Sequence, residues 1–329
     1  MRKVKMKKIL FNNKKGIFYL LISSLFLAVM IFVFLAYEQY GFVDRQKVIE
    51  TRIQTINDFI KDIDTDSKRV IYISGFRALI AVEDYVASSG AYLNNSEKLF
   101  RIAFYNGTVN GTDVDILENS SYFDYLQKLQ VIAGRVGIDI YINVTNIILY
   151  HDSPWSVKVV VTAHVNITDN KGLANWDFYK DYNTSVSLKD IRDPVYSVYT
   201  LGRVPNTIRI TNITDFVNDS NNDTTNLQNH TNHSYYKANT LAPSFLMRLE
   251  GNFSSSPYGI ESLIYIPELI EQDVQYNDGR SIVDYILFSN ITGYSSKACD
   301  VQNMPNWFKI DINHTSDYEV DKLSYTPCG

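Results

Sequence analysis

Residues 17–36 read IFYLLISSLFLAVMIFVFLA, twenty positions without a charge, a proline or a glycine. Wound as an α-helix at about 1.5 Å per residue, such a run is about 30 Å long, the thickness of a bilayer's hydrocarbon core. Arg2, Lys3, Lys5, Lys7, Lys8, Lys14 and Lys15 stand in front of it with no acidic residue among them. The positive-inside rule therefore predicts a cytoplasmic amino terminus and an exterior location for everything after Tyr37. The expectation is a single-pass protein of the cell membrane, in contact with lipid through residues 17–36.

The apolar run is longer than the core of a cleaved secretory signal, and Ala36-Tyr37-Glu38 lacks a small-x-small exit, so the helix is expected to stay on the chain. Lys14-Lys15-Gly16 followed by Ile17-Phe18-Tyr19-Leu20-Leu21 resembles the class III signal of archaeal type IV pilin-like proteins. The resemblance implies that a prepilin-type peptidase is a partner, that it cuts after Gly16, and that Ile17 becomes the new amino terminus. Leu21 stands where many type IV pilins carry Glu, and Tyr19 where archaeal pilins commonly carry Gln. The other reading of the same residues is a plain signal anchor whose Gly16 marks the cytoplasmic edge of the helix.

Seven of the 31 Lys and Arg lie in the first sixteen residues, so the remaining 24 face 36 Asp and Glu, a net charge of about −12. With no basic patch to meet phosphates, nucleic acid is excluded as a partner. Fifteen asparagines open an Asn-x-Ser/Thr triplet: Asn94, Asn106, Asn110, Asn119, Asn143, Asn166, Asn183, Asn212, Asn218, Asn222, Asn229, Asn232, Asn252, Asn290 and Asn313. Chance at this composition gives about a third as many, which points to a glycosylated exterior, although an Asn-rich chain is the plainer alternative. The two cysteines, Cys299 and Cys328, are expected to pair in an oxidising exterior and staple the tail, a gain of about 3.5 kcal/mol for a loop of about thirty residues.

Beyond Tyr37 the pattern stays helical. Ile49, Ile53, Ile56, Ile60 and Ile63 form one apolar stripe, which resumes at Val70, Ile73, Phe76, Ile80 and Val82 and stops at Ser88-Ser89-Gly90. Between them, Asp64-Thr65-Asp66-Ser67-Lys68 is a place for a kink or a cap. The stripe serves either the protein's own core or a seam with other subunits, in a homo- or hetero-oligomer. A transmembrane helix running into an amphipathic stalk beneath a β-rich head is also how type IV pilins are built.

A hairpin is predicted around Asn106-Gly107 and Asn110-Gly111, flanked by residues 99–104 and 114–117, and an amphipathic helix over 122–135. Alternation predicts strands over 138–144 and 157–167 joined by a turn at Asp152-Ser153-Pro154, then strands over 183–189 and 308–313. On these four the sequon residues Asn143, Asn166, Asn183 and Asn313 fall on the polar side. Residues 206–239 are rich in Asn, Asp, Thr and His and read as a long mobile loop. Residues 245–249, 260–266 and 282–288 supply further strands or a short helix, and 318–323 a short helical turn.

The fold expected is α+β: an N-terminal transmembrane helix, a long amphipathic stalk helix and an antiparallel β-rich extracellular head. Its divisions are a basic cytoplasmic segment or leader (1–16), the span (17–36), the stalk (37–90), a β-rich head (91–205), a flexible glycosylated loop (206–240) and the rest of the head with its disulfide-stapled tail (241–329).

No GxSxG, HExxH, P-loop, dinucleotide-binding or EF-hand pattern is present, so no catalytic residue, metal ligand or cofactor is assigned, and the chain is not read as an enzyme. The most metal-like spacing, His230-Thr-Asn-His233, lies in the polar loop; His164 sits on a polar strand face; His151 and Asp152 are neighbours that point apart. The leading expectation is an archaeal pilin-like surface protein, a minor filament subunit or an anchored glycosylated ectodomain with a structural or interaction role. The alternatives are an anchored binding module for a sugar, peptide or envelope protein that uses Trp155, Trp176 and Trp307, and an extracellular hydrolase without a recognisable motif.

Overall fold

The computed structural model describes residues 14–218, 220–289 and 298–323. The chain is α+β and divides between Asp62 and Ile63 into two units. The first is helical throughout its described length. Gly16–Tyr37 is the one helical segment among the described residues long and apolar enough to cross a membrane, with a mean hydropathy of 2.7, and its side chains are exposed.

Helix α1 runs over Lys14–Ser89, so the polar stretch at 64–68 does not cap a new helix. Gly90, at φ +62°, ends it as the sequence predicts, its N–H donating to the Val86 carbonyl. The buried line within the second unit differs from the predicted stripe. Ser67, Ile71, Ser74, Ala78, Leu79, Val82 and Val86 are buried, whereas Ile73 is exposed and Val70, Phe76 and Ile80 are half-buried. The reason is that close approach favours small residues. A Cβ on Gly75 would lie 3.1 Å from a methyl of Val186 and 3.4 Å from one of Val159, so this face of the helix lies directly on the sheet.

The predicted hairpin near Asn106 is corrected. Residues 96–106 form helix α2 (Ser96–Asn106), capped by the Asn95 side chain, and Gly107 at φ +76° is its C-cap rather than a hairpin turn. Only Asn110-Gly111 turns a hairpin, between the two-residue strands β1 (Thr108–Val109) and β2 (Thr112–Asp113). Helix α3 (Tyr122–Arg135) begins with a reciprocal capping box between Ser121 and Asp124. Rings of Phe100, Phe104 and Tyr122 stack in series between α2 and α3.

The main sheet is an antiparallel meander, β3 (Ile138–Ser153), β4 (Ser156–Asp169) and β5 (Asn175–Ser187), with β4 central. Val157, Val159, Val161, Ala163, Val165 and Ile167 are all fully buried, as period-two alternation requires. The expected β3–β4 turn is there, and the register shifts twice, between Val144 and Asn146 and between His151 and Ser153.

The described residues of 206–240, expected as a mobile loop and a domain boundary, include a helix and a strand, and some of them pack into the core. Phe216, Val217 and Leu227 belong to one buried cluster with Val195, Tyr196 and Val204 before them and Leu263, Tyr285, Phe308 and Ile310 after. Their composition is polar, but it contains enough apolar residues to dock. The Glu319 carboxylate accepts the N–H groups of Phe216 and Val217 at 2.8 and 3.2 Å and fastens the segment. The chain forms α4 (Pro194–Tyr199) before this segment, and α5 (Thr225–Asn232) and β6 (Tyr236–Ala238) within it. It continues with α6 (Phe245–Leu249), β7 (Ile260–Ser262), α7 (Ile266–Glu271), α8 (Asp284–Leu287), β8 (Ala298–Asp300) and β9 (Lys309–Asp311). The strand predicted over 308–313 shrinks to β9, because Asp311 is buried and Ile312 is 60 % exposed, the reverse of the expected alternation.

Candidate functional site

All three residues of β7 are fully buried, two of them polar. Because successive side chains on a strand face opposite ways, Ser262 and Glu261 each lead into a separate polar cluster. Strand β6 pairs with β7 so that Tyr236 lies opposite Ser262 and Lys237 opposite Glu261, which sorts their side chains to the same two sides.

On the Ser262 side, Arg248 lies between two carboxylates, and none of the three is exposed at all. Its Nη1 donates to Asp193 Oδ2 at 2.6 Å and to Asp284 Oδ2 at 3.1 Å, and its Nη2 to Asp284 Oδ1 at 3.0 Å and to the Ile260 carbonyl. Asp193 is the N-cap of α4, accepting the Val195 N–H, and takes a further bond from the Tyr236 hydroxyl at 2.7 Å. Asp284 opens α8 and accepts both the N–H and the hydroxyl of Ser262. Burial raises the Asp193 pKa against the pull of Arg248. The Arg248 pKa rises although burial opposes it, since the two carboxylate charges outweigh desolvation. The hydrogen bonds run inward from four segments of chain, so the cluster's chemistry is that of a structural tie.

On the Glu261 side the loop after β9 turns back on itself. His314 Nδ1 lies 2.8 and 2.9 Å from the two oxygens of Asp311, and its Nε2 lies 3.0 Å from the Tyr285 hydroxyl and 3.3 Å from Glu261 Oε2. The Asn239 amide donates to Glu261 Oε1 at 2.9 Å and to Asp317 Oδ2 at 2.8 Å. Lys237 donates to the Asp317 carbonyl and places its ammonium 4.7 Å from the centre of the Tyr318 ring. Burial works against a charge on His314, but hydrogen bonds to Asp311 and Glu261 outweigh it and bring its pKa up to about 10. Burial also opposes charge on Asp311, and His314 reverses the balance and lowers its pKa. Glu261, His314 and Asp317 each present one donor atom, all within 4.8 Å of one another, an arrangement able to hold a cation.

The sequence reading assigned no metal ligand and missed this cluster. The signal available was the spacing Asp311-x-x-His314-x-x-Asp317, hidden because His314 is also the middle of a sequon. The spacing it did weigh does not converge: His230 is buried against Thr211, whereas His233 is exposed and stacks on Tyr235. His164 pairs with Asp177 at 2.7 Å and stacks on Tyr179. His151 and Asp152 do point apart, the carboxylate taking the hydroxyls of Ser156 and Ser185.

Gly16 and Ile17 lie in the first turns of α1, exposed. Among the described sequon residues every asparagine is exposed except Asn166, which is half-buried and donates to Asp177 Oδ2 at 3.1 Å. Asn206 and Asn239, outside any sequon, are buried. Asn290 lies outside the described residues, as does Cys328; Cys299 is buried in β8. Trp155 and Trp176 stand at opposite ends of β4, about 35 Å apart along the sheet. Trp307 packs edge-on against Tyr265. No known protein family, curated protein or solved structure matches this chain.

Proposed function

We propose that this chain is a membrane-anchored surface protein of the type IV pilin-like kind, with a glycosylated exterior region in a structural or interaction role. The observation that carries the reading is helix α1, in which a fully exposed apolar segment, Gly16–Tyr37, continues as helix to Ser89. Among the described residues this segment is exposed throughout, and lipid supplies a partner for an apolar run of that length. The seven basic residues before it orient the exterior region outward. The exposure of the sequon asparagines supports glycosylation, since a glycan needs solvent and the buried asparagines lie outside sequons. On this reading Gly16 is the processing residue, α1 beyond the bilayer is the stalk, and a Cys299–Cys328 bond secures the carboxyl end.

The binding-module reading loses its motive, because Trp155 and Trp176 are too far apart to share a groove. The hydrolase reading has no motif behind it and needs a substrate cleft at the His314 cluster; a cleft of about 640 Å³ lies instead between the end of α1 and Arg192. The test is the amino-terminal sequence and intact mass of the protein taken from its native membrane. A mature chain starting at Ile17, with glycan mass attached, is expected. A chain still beginning at Met1 and free of glycan overturns the pilin-like reading and leaves plain anchoring.

A further inference from the structure

We propose that Glu261, His314 and Asp317 bind one divalent transition-metal cation of the Zn2+ or Mn2+ class, and that the cation ties the loop after β9 to strand β7. Four observations, independent of the anchoring, carry it.

The first is spacing. Ligands about 2.1 Å from a tetrahedral metal stand about 3.4 Å apart, and His314 Nε2 lies 3.3 Å from Glu261 Oε2. The second is orientation. Both oxygens of Asp311 engage Nδ1, which leaves Nε2 as the ring nitrogen facing Glu261. That is the carboxylate–histidine pairing found behind metal-ligating imidazoles. The third is an unmet need. Glu261 is fully buried, yet its Oε2 has no well-aligned hydrogen bond, with His314 Nε2 at 3.3 Å, and the hydroxyl of the equally buried Tyr318 makes no well-aligned bond either. Orphaned polar atoms in a core are costly, and a cation answers both, taking the carboxylate oxygen as ligand and the phenol as a fourth or outer neighbour.

The fourth observation is charge and support. The Asn239 amide holds one oxygen of Glu261 and one of Asp317, leaving each carboxylate its other oxygen. The carboxylates of Asp311, Glu261 and Asp317 are together balanced by a divalent cation and the Lys237 ammonium with His314 neutral. The Tyr285 hydroxyl, 3.0 Å from Nε2, gives way to the cation. One imidazole with two carboxylates selects Zn2+ or Mn2+ over Ca2+ and Mg2+, which favour all-oxygen sites.

The test uses the untagged full-length chain in detergent micelles, stripped with EDTA and titrated with Zn2+ and with Mn2+ by calorimetry, with bound metal counted by mass spectrometry. The expected result is one ion per chain, a higher thermal midpoint, and at least a 100-fold loss of affinity in His314→Gln and Glu261→Gln. Zero stoichiometry, or unchanged affinity in both variants, overturns the proposal. If the variants fail to fold, X-ray absorption on the wild-type protein loaded with Zn2+ decides: a first shell of one imidazole and oxygen donors supports the site, and two or more imidazoles or a sulfur refute it.

Discussion

Replacing Arg248 by Met keeps most of the side-chain volume and removes the only positive charge between Asp193 and Asp284. Three of the four bonds from Arg248 go to carboxylate oxygens, and all three side chains are fully buried. Hydrogen bonds to charged groups contribute about 1.5–3 kcal/mol each, but most of that is offset by the cost of desolvating the ions. What remains is the penalty of two carboxylates left without their cation, about 3–5 kcal/mol for breaking a buried pair. We expect Arg248→Met to lower unfolding stability at pH 7 by about 4 kcal/mol. Adding Asp193→Asn removes one of the stranded charges, so the double variant should be less destabilised than the sum of the singles, by 1 kcal/mol or more. Urea unfolding of the full-length protein in micelles, followed by tryptophan fluorescence, reads both values. A loss below about 1 kcal/mol for the single variant, or strict additivity in the double, would refute the assignment of the cluster as a charge-balanced tie.

Gly259→Ala places a Cβ 2.1 Å from the Ala242 carbonyl oxygen and 2.2 Å from that of Asn239; these are backbone atoms that cannot swing aside, so a loss of about 3 kcal/mol is expected from the same unfolding assay. His230 is held neutral by burial, and then by Lys237, with its pKa lowered to about 3. Because the folded value lies below the unfolded one, near 6.5, stability is full above pH 6.5 and falls as pH drops toward 3, by up to about 4 kcal/mol at the acid end. His230→Phe should flatten that slope in pH-dependent melting; an unchanged slope assigns the acid sensitivity to other groups. Among the glycosylation sequons, Asn166 should be unoccupied while Asn143 and Asn183 carry glycan, since its amide is half-buried and committed to Asp177. Glycopeptide mass spectrometry showing Asn166 fully modified counts against this.

Elements with one strong local cause were legible in the sequence. Helix α3 has Ser121 and Asp124 at its start and an apolar face, and both strands of the β3–β4 hairpin alternate cleanly. The misreadings share a cause in tertiary contact. Asn106-Gly107 has the composition of a hairpin turn but serves as a helix C-cap, because the residues before it carry Phe100, Ala103 and Phe104 at helical spacing onto a packed neighbour. The buried side of α1 is built from Ser67, Ser74, Gly75 and Ala78, residues that a hydrophobicity stripe ignores, since what they contribute is proximity. Segment 206–240 looked unable to order itself, and by itself that reasoning is sound; it is held by Glu319, about a hundred residues away in the chain. The His314 cluster escaped for the same reason, as Glu261 is far from Asp311 in sequence and is brought near it by the Leu263–Val283 bridge and by the Ile282 N–H donating to the Lys309 carbonyl.

Strand β5, at one margin of the main sheet, is 13 residues long, a margin of about 43 Å. A strand margin of that length is a template for another chain's backbone. For a protein free in solution the hazard scales with bulk concentration, but copies tethered in a membrane meet in two dimensions at a much higher effective concentration. The exposed face of β5 carries Asp177, Asp181 and the sequon residue Asn183. Like charges there oppose a second copy zipping sheet to sheet, and on the proposed reading a glycan at Asn183 adds to that barrier.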